Sequence, residues 1–329
     1  MANRRPTSTD VAKLAGVSRA TVSYVLNQTK HQSIPLDTQE RVTAAAKELG
    51  YTPNAAAKAL RAGQSNLVLL VVRNIPYGRN LGMAIDRLAE QVAEHGMSLV
   101  TWQSAGEQSL TTTLGHLQPR MVLSFFALDP SETRALSVAG IAHASQQALF
   151  GVSSFDELTG SLQVHHLAER GHRRIGHVGT DDADLSAFSG PRRQGVRRGC
   201  LELDLPTPRE TIVGVPPKGS AAEVAEVLRD WCSSPEPVTA VAAYNDQVAA
   251  LVMRAARLTG LRVPEDLAVI GVDDEPMAAQ LEPPLSTVRI DMTLLTDWLL
   301  AAGLHELGQG EAPLPVTSSA LEVLHRASS

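Results

Sequence analysis

Residues 7–27 read TSTDVAKLAGVSRATVSYVLN, and this stretch decides how the chain is organised. It divides into two helical pieces around a tight joint. Thr7 can cap the first piece, with Asp10 three residues on near the positive helix end. Val11, Ala12, Leu14 and Ala15 then repeat at helical spacing. Gly16-Val17 breaks the run, and Ser18 supplies an N-cap for a second helix. At about 100° per residue, Thr21, Val22, Val25 and Leu26 fall on one side of that helix. Arg19, Ala20, Ser23, Tyr24 and Asn27 fall on the other. The first set is predicted to pack on the first helix, which leaves hydrogen-bonding groups along one face of a rigid rod. Such a face suits the DNA major groove, where base edges carry a distinct donor and acceptor pattern. Taken alone, the stretch also fits an ordinary helical hairpin with a solvated face.

Outward from it, QTKHQSIPLD (28–37) is a polar loop, and Asp37 or Thr38 is expected to start a third helix. Val42, Ala45, Ala46 and Leu49 give that helix an apolar face, Gly50 closes it, and a three-helix head ends near Thr52. Pro53-Asn54 then opens AAAKALRAG, too short a helix to be stable alone in water. Leu60 is its one large apolar side chain. It fits a wedge for the minor groove, or a stray apolar residue on a plain linker.

The charge is divided unevenly. Residues 1–63 hold nine Lys or Arg against four acids, whereas the remainder holds 20 bases and 31 acids, within a net charge of −6. A basic head on an acidic body predicts that the head touches a polyanion and the body does not. The two cysteines, Cys200 and Cys232, lack metal or redox spacing and read as free thiols. MANRRPTS lacks the apolar core of a signal peptide, and no apolar run is long enough to span a bilayer. A cytoplasmic, nucleoid-associated protein is expected, with no membrane partner.

From Leu67 the pattern changes to strand-like runs alternating with amphipathic helical segments. The runs are 67–72, 98–102, 121–128, a weaker 148–152, then 174–179, 211–215, 240–245, 267–272 and 286–290. Helical segments are expected at 81–95, 107–117, 131–139 and 158–170, with others between the later strands. This predicts a parallel α/β body with two sheets and a cleft between them, ligands lying beyond the carboxyl ends of the strands.

The order DVAKLAGVSRATVSYVLN, a helix, YTPNAAAKALRAG and an α/β body resembles the lac repressor (LacI/GalR) family of bacterial transcription regulators. GHRRIGHVG (171–179), the RxxG step from Arg192 to Gly195, AVAAYNDQVAA (240–250), LRVPEDLAVIGVDD (261–274) and PPLSTVRID (283–291) extend the likeness over nearly the whole chain. The resemblance implies an all-α helix-turn-helix head (1–52), a hinge helix (53–63) and a two-lobed, periplasmic-binding-protein-like body (64–329) with doubly wound parallel sheets. It implies a homodimer, or a tetramer, that represses by binding a palindromic double-stranded DNA operator. A small-molecule effector, a sugar or a derivative, would modulate it. Carried over by position, Arg19, Ala20, Tyr24 and Asn27 contact bases and backbone, and Thr21 and Ser23 contact phosphates. Thr7, Ser18, Asn54, Ala57 and Lys58 join the DNA-binding set, and Leu60 is the intercalating leucine.

For the cleft, the resemblance places effector contacts on Tyr77, Arg192, Asn245 and Asp273. An Arg fork with a carboxylate and an amide suits vicinal hydroxyls or an acid group. The same residues also fit a helix cap at Asn245-Asp246 and a strand-end turn at Asp273-Asp274. The chain departs from the family elsewhere. Ser8 stands for a larger aliphatic residue, and residues 28–36 form a slightly long loop. GIAHASQQALFGVSSFDELTG (140–160) offers only Asp156 and Glu157 as substitutes for two expected aspartates. Val196 and Met292 replace aromatic residues, so a sugar stacked between rings is not expected. Alternatives are an activator, an effector-independent regulator with a degenerate cleft, and a cytoplasmic solute-binding protein or enzyme on the same body. The sequence supplies no Walker loop and no GxGxxG, and His165-His166, His172 and His177 lack a metal-ligand pattern. No cofactor, no metal and no catalytic residue are expected.

Overall fold

The computed structural model describes residues 6–26, 34–51, 65–72, 78–103, 109–145, 155–180, 182–215, 219–316 and 318–329. The chain divides into two compact units, Met1–Ser65 and Asn66–Ser329. The first contains α1 (Ser8–Ala15), α2 (Arg19–Leu26) and α3 (Leu36–Glu48). Val11, Ala12, Ala15, Val22, Val42, Ala45 and Ala46 form its core, with Val17, Val25, Leu26, Leu49 and Tyr51 half-buried around it.

Local signals set the ends of these helices. Thr7 donates from its amide and its hydroxyl to Asp10 Oδ2, at 2.8 and 2.7 Å. Gly16, with φ +66°, ends α1, a left-handed conformation that glycine adopts without a Cβ penalty. Ser18 Oγ accepts from the amide of Thr21 at 3.0 Å, capping α2. Arg41 Nη1 donates to the Ala15 carbonyl at 3.2 Å and so ties α3 to the end of α1. Two expectations need correction. Leu14 is 48% exposed, because the buried arc of α1 is centred on Val11, Ala12 and Ala15 and Leu14 falls outside it. The third helix begins at Leu36 behind Pro35, not at Asp37 or Thr38, since proline's fixed φ suits a helix start. The hinge segment 53–63 lies outside the described residues.

The second unit holds two sheets. One comprises β1 (Leu67–Val72), β2 (Ser98–Gln103), β3 (Met121–Ser124) and β4 (Ala142–Ser145) in the order β2-β1-β3-β4, all parallel. The other comprises β5 (Ile175–Gly179), β6 (Arg209–Ile212), β7 (Ala240–Ala243), β8 (Ala268–Val272), β9 (Ser286–Ile290) and β10 (Leu321–Leu324) in the order β10-β9-β8-β7-β5-β6. The central strands β3, β5, β7 and β8 are buried throughout, as helices on both faces of a parallel sheet require. The fourth strand is AHAS at 142–145, paired with β3, while the expected 148–152 run lies outside the described residues. The 121–128 run is strand only to Ser124, whose hydroxyl accepts from the Phe126 amide at 3.1 Å and turns the chain. Among the described strands one is not parallel: β10, which no apolar run marks in the sequence, runs antiparallel along β9 and is only partly buried.

The remaining helices are α4 (Arg79–Glu94), α5 (Leu110–Leu117), α6 (Pro130–Val138), α7 (Phe155–Glu169), α8 (Ser186–Glu202), α9 (Ala221–Ser233), α10 (Asp246–Thr259) and α11 (Met292–Glu306). After β9 the chain returns to the first sheet, where α11 packs on β3, β4 and α4, and then goes back to form β10. It therefore passes between sheets three times. Two glycines fix the α7–α8 contact: a Cβ at Gly160 would lie 2.1 Å from the Arg192 carbonyl, and one at Gly195 would lie 2.0 Å from the Glu157 carbonyl. The glycine of the RxxG step therefore lets α8 approach α7 closely enough to bring Arg192 to Asp156.

Candidate functional site

Two surfaces carry candidate chemistry, and each belongs to its own unit. On the first unit, Val22 is buried and anchors α2, while Arg19, Ala20 and Tyr24 are exposed and Thr21 and Ser23 half-exposed. Ser18 Oγ lies 2.9 Å from the Thr21 hydroxyl in addition to capping the helix. Thr7 sits half-buried at the start of α1. Asn27, Asn54, Ala57, Lys58 and Leu60 lie outside the described residues.

On the second unit, the carboxyl ends of strands from both sheets surround a cavity of about 190 Å³. Arg192, on α8, is buried at its centre. Its Nε donates to Asp156 Oδ1 at 2.8 Å, its Nη1 donates to the Tyr244 carbonyl at 3.0 Å, and its Nη2 lies 3.7 Å from Asp273 Oδ1. The guanidinium also sits 5.0 Å from the Tyr244 ring centre and 5.9 Å from that of Phe188, within cation–π range. Burial works against the Arg192 charge, yet the carboxylates of Asp273 and Asp156 outweigh it and its pKa is raised. Burial also raises the carboxyls of Asp156 and Asp273, and the single guanidinium they share only partly counters this.

Asp273 follows β8 with φ +101°, an unusual backbone for a non-glycine residue. Its Oδ1 accepts from Asn80 Nδ2 at 3.4 Å, a bond across the cleft from the start of α4. Arg79 adds two more, from its amide to Glu275 Oε1 at 3.4 Å and from Nη1 to the Asp274 carbonyl at 3.3 Å. Asp274 itself is paired with Arg326 at 2.6 Å. Beneath this loop, Asp246 is fully buried and accepts from the Thr287 hydroxyl at 2.6 Å and the Glu275 amide at 2.7 Å. Burial pushes its carboxyl up to about 7 against those two bonds.

Arg192, Asn245 and Asp273 are thus brought to one cavity, and Tyr77 lies outside the described residues. Asn245 also caps α10, its side-chain oxygen accepting from Val248 at 3.0 Å. Asp156, a loose substitute in the sequence, is the direct partner of Arg192; Glu157 instead meets Arg198 at 3.4 Å. Although Val196 and Met292 replace aromatic residues, the cavity has other rings. Phe125, Phe126, Phe155 and Phe188 line it, with Phe126 and Phe188 edge to face at 5.3 Å. Four of the chain's five phenylalanines therefore line one cavity, a gathering that only the fold reveals. Phe188 also stands one helical turn before Arg192, the spacing that puts a ring beside a guanidinium. Asn80 and Glu275 carried no sequence signal.

The histidines have other partners: His165 with Glu202, His166 with Ser329, His172 with Thr239 and His177 with the Ala242 carbonyl. Among the described residues no group of His, Cys, Asp and Glu is placed to hold a metal ion. No described helix is long and apolar enough to cross a membrane.

The sequence pattern of the lacI family of bacterial regulatory proteins matches residues 7–54, and that of the periplasmic binding protein-like domain matches residues 164–329. The HTH-type transcriptional regulator CelR of Thermobifida fusca is 32% identical over 305 residues, 87% of each chain. The ribose operon repressor of Escherichia coli K12 is 30% identical over 322 residues, 92% of this chain and 93% of its own. Among solved structures, the lac repressor dimer bound to operator and the anti-inducer ONPF matches with a TM-score of 0.76 at 26% identity, over 99% of both chains. The CelR–cellobiose complex matches with a TM-score of 0.63 at 26% identity, over 99% of this chain and 100% of its own.

Proposed function

Since this chain belongs to the lacI family of bacterial regulatory proteins and is a DNA-binding transcription regulator, not an enzyme, we propose that it represses its targets as a homodimer on a palindromic operator. Each copy would lay α2 in the major groove of one half-site. Arg19, Ala20, Tyr24 and Asn27 would face bases and backbone, while Thr7, Ser18, Thr21 and Ser23 would hold the flanking phosphates. Asn54, Ala57, Lys58 and Leu60 of the hinge (53–63) would enter the minor groove at the centre, between the head (1–52) and the body (64–329). A small-molecule effector in the cleft, near Tyr77, Arg192, Asn245 and Asp273, would shift the two lobes and so change the spacing of the paired hinges. The protein would act in the cytoplasm, associated with the nucleoid.

One observation supports the reading most. The basic head exposes Arg19 and Tyr24 on a helix whose opposite face is anchored by Val22, so these side chains are presented outward on a rigid element. Arg19 paired bidentately with guanine would discriminate against a wrong base by about 1–3 kcal/mol. The test is a gel shift of the full chain on genomic fragments across a salt series. Retention of a palindromic fragment with steeply salt-dependent affinity is expected, and indifference to every fragment at low salt would end the reading. Leu60→Ala should lower affinity for the operator far more than for random duplex; equal losses would remove the wedge.

A further inference from the structure

The second unit is built on two sheets, and the lobe of β1–β4 touches the lobe of β5–β10 directly across the cleft. Three polar contacts lie at the start of α4. Asn80 Nδ2 donates to Asp273 Oδ1 at 3.4 Å, the Arg79 amide donates to Glu275 Oε1 at 3.4 Å, and Arg79 Nη1 donates to the Asp274 carbonyl at 3.3 Å. An apolar contact joins the lobes elsewhere on the cavity wall: Phe126, just after β3, meets Phe188 of α8 edge to face, with ring centres 5.3 Å apart. Each polar bond is long, so each is weak alone. Their effect comes from acting together between two pieces that are themselves firmly held.

Residues 273–275 are fixed from behind, within their own lobe. Buried Asp246 accepts from the Glu275 amide at 2.7 Å and the Thr287 hydroxyl at 2.6 Å, and Arg326 Nη2 donates to Asp274 Oδ1 at 2.6 Å. Asp273 and Asp274 have φ of +101° and +49°, a backbone that non-glycine residues keep only where the surroundings impose it. Facing them, α4 is tied to α11 of its own lobe by Arg87, whose Nε and Nη2 donate to the two Asp297 oxygens at 2.9 Å. The first turn of α4 has no acidic residue, and its N-cap, Gly78, has no side chain to cap with. Glu275 brings a carboxylate to that positive helix end from the opposite lobe.

We propose that these contacts form a clasp by which the chain's own side chains hold the two lobes together. Asn80, Asp273, Phe126 and Phe188 also line the cavity, so a ligand that reaches Asp273 or parts the two rings replaces the clasp's contacts with its own. Where the regulator reading proposed above holds, the clasp also sets the spacing at which paired hinges meet the operator.

The test uses the full-length chain, small-angle X-ray scattering and amide exchange. The double variant Asn80→Ala/Glu275→Ala removes two polar contacts, and Phe188→Leu removes the ring pair while keeping an apolar side chain; all three positions are half-exposed. Both variants should have a larger radius of gyration than the parent, and the double variant should exchange faster at Arg79 and Asn80. Adding Gly78→Ser to the double variant gives α4 a cap of its own, on an extended backbone that suits serine. It should slow that exchange again and leave the radius large. Variants with the parent's radius and exchange would overturn the clasp. So would a radius restored by Gly78→Ser, which would trace the whole effect to fraying of α4. Operator affinity of both variants should fall at least about threefold, because apparent affinity scales with the fraction of molecules in the competent arrangement. An expanded variant with the parent's operator affinity would overturn the link to the hinges. If the parent itself binds no duplex, the regulator reading fails, and scattering still decides the clasp.

Discussion

The reading face of α2 and the wall of the cleft use polar side chains in opposite ways. On α2, Arg19 and Tyr24 are exposed, and the helix is held by the residues behind them. In the cleft, Arg192 and Asp156 are buried and Asp273 half-buried, and their polar groups are committed to protein partners: Arg192 to Asp156 and the Tyr244 carbonyl, Asp273 to Asn80. A surface that must meet a long, regular polyanion keeps its donors uncommitted. A cavity that must hold its shape commits them. The difference teaches where each kind of site is vulnerable: changes on α2 should cost affinity and little stability, and changes at Arg192 should cost stability first.

The largest effect is expected at Arg192. Arg192→Met removes the partner of a buried carboxylate and should destabilise the second unit by about 3–5 kcal/mol, read as a fall in its thermal unfolding midpoint. Adding Asp156→Leu should restore much of the loss, because an ion pair replaced on both sides leaves no stranded charge. A single variant as stable as the parent would show that the cluster is not the strut its geometry describes.

Next in size is a pH effect at the floor of the same cleft. The Asp246 carboxyl is raised to about 7 by burial, so the folded protein keeps a proton that the unfolded chain loses near 4. Its contribution to stability therefore falls as pH rises from about 4 to about 7 and is constant above. The opposite holds for His177 and His166, both lowered to about 4 chiefly by burial: their contribution is full above 6.5 and is lost as pH falls toward 4. The two trends offset one another. Asp246→Asn removes the first, so its midpoint should fall more steeply on acidification from 7 to 4 than the parent's, by about 2–4 kcal/mol across the window. Parallel profiles would mean that Asp246 titrates normally.

These contrasts also explain what the sequence made legible. The head is built from neighbours within one or two turns, so caps, the glycine break at Gly16 and the apolar spacing of Val22 with Val42 and Ala45 could be read from order alone. Even so, Leu14 was misplaced, because an eight-residue helix has too few turns for periodicity to fix the edge of its buried arc. The buried parallel strands β1, β3, β5, β7 and β8 stand out as apolar runs, whereas the edge strands β4 (AHAS), β6 (RETI) and β10, only partly buried, do not. The cleft is assembled from positions as far apart as Asn80, Phe126, Asp156, Arg192 and Asp273. No local rule pairs Asp156 with Arg192; only the close approach of α7 and α8 at Gly160 and Gly195 does so.

The smallest expected effect separates cap from contact on α2 itself. Ser18 was read both as the N-cap of this helix and as a member of the DNA-binding set, and its hydroxyl oxygen accepts from the Thr21 amide at 3.0 Å. Ser18→Ala should cost about 1 kcal/mol of local stability through the lost cap, seen as faster amide exchange at Thr21 and Val22 in the free protein. If capping is its whole role, Ser18→Asp restores the exchange rates, although its added charge lowers operator affinity by repelling phosphates. If Ser18 also donates to the operator, Ser18→Ala should lower affinity by more than the exchange data account for, and Ser18→Thr, which keeps a hydroxyl, should recover both. A variant that loses the cap but keeps full operator affinity would show that DNA binding orders the first turn of α2 unaided. The face would then be formed partly by its target instead of being wholly rigid beforehand, and the contrast with the committed cleft would narrow at the one residue where the two strategies meet.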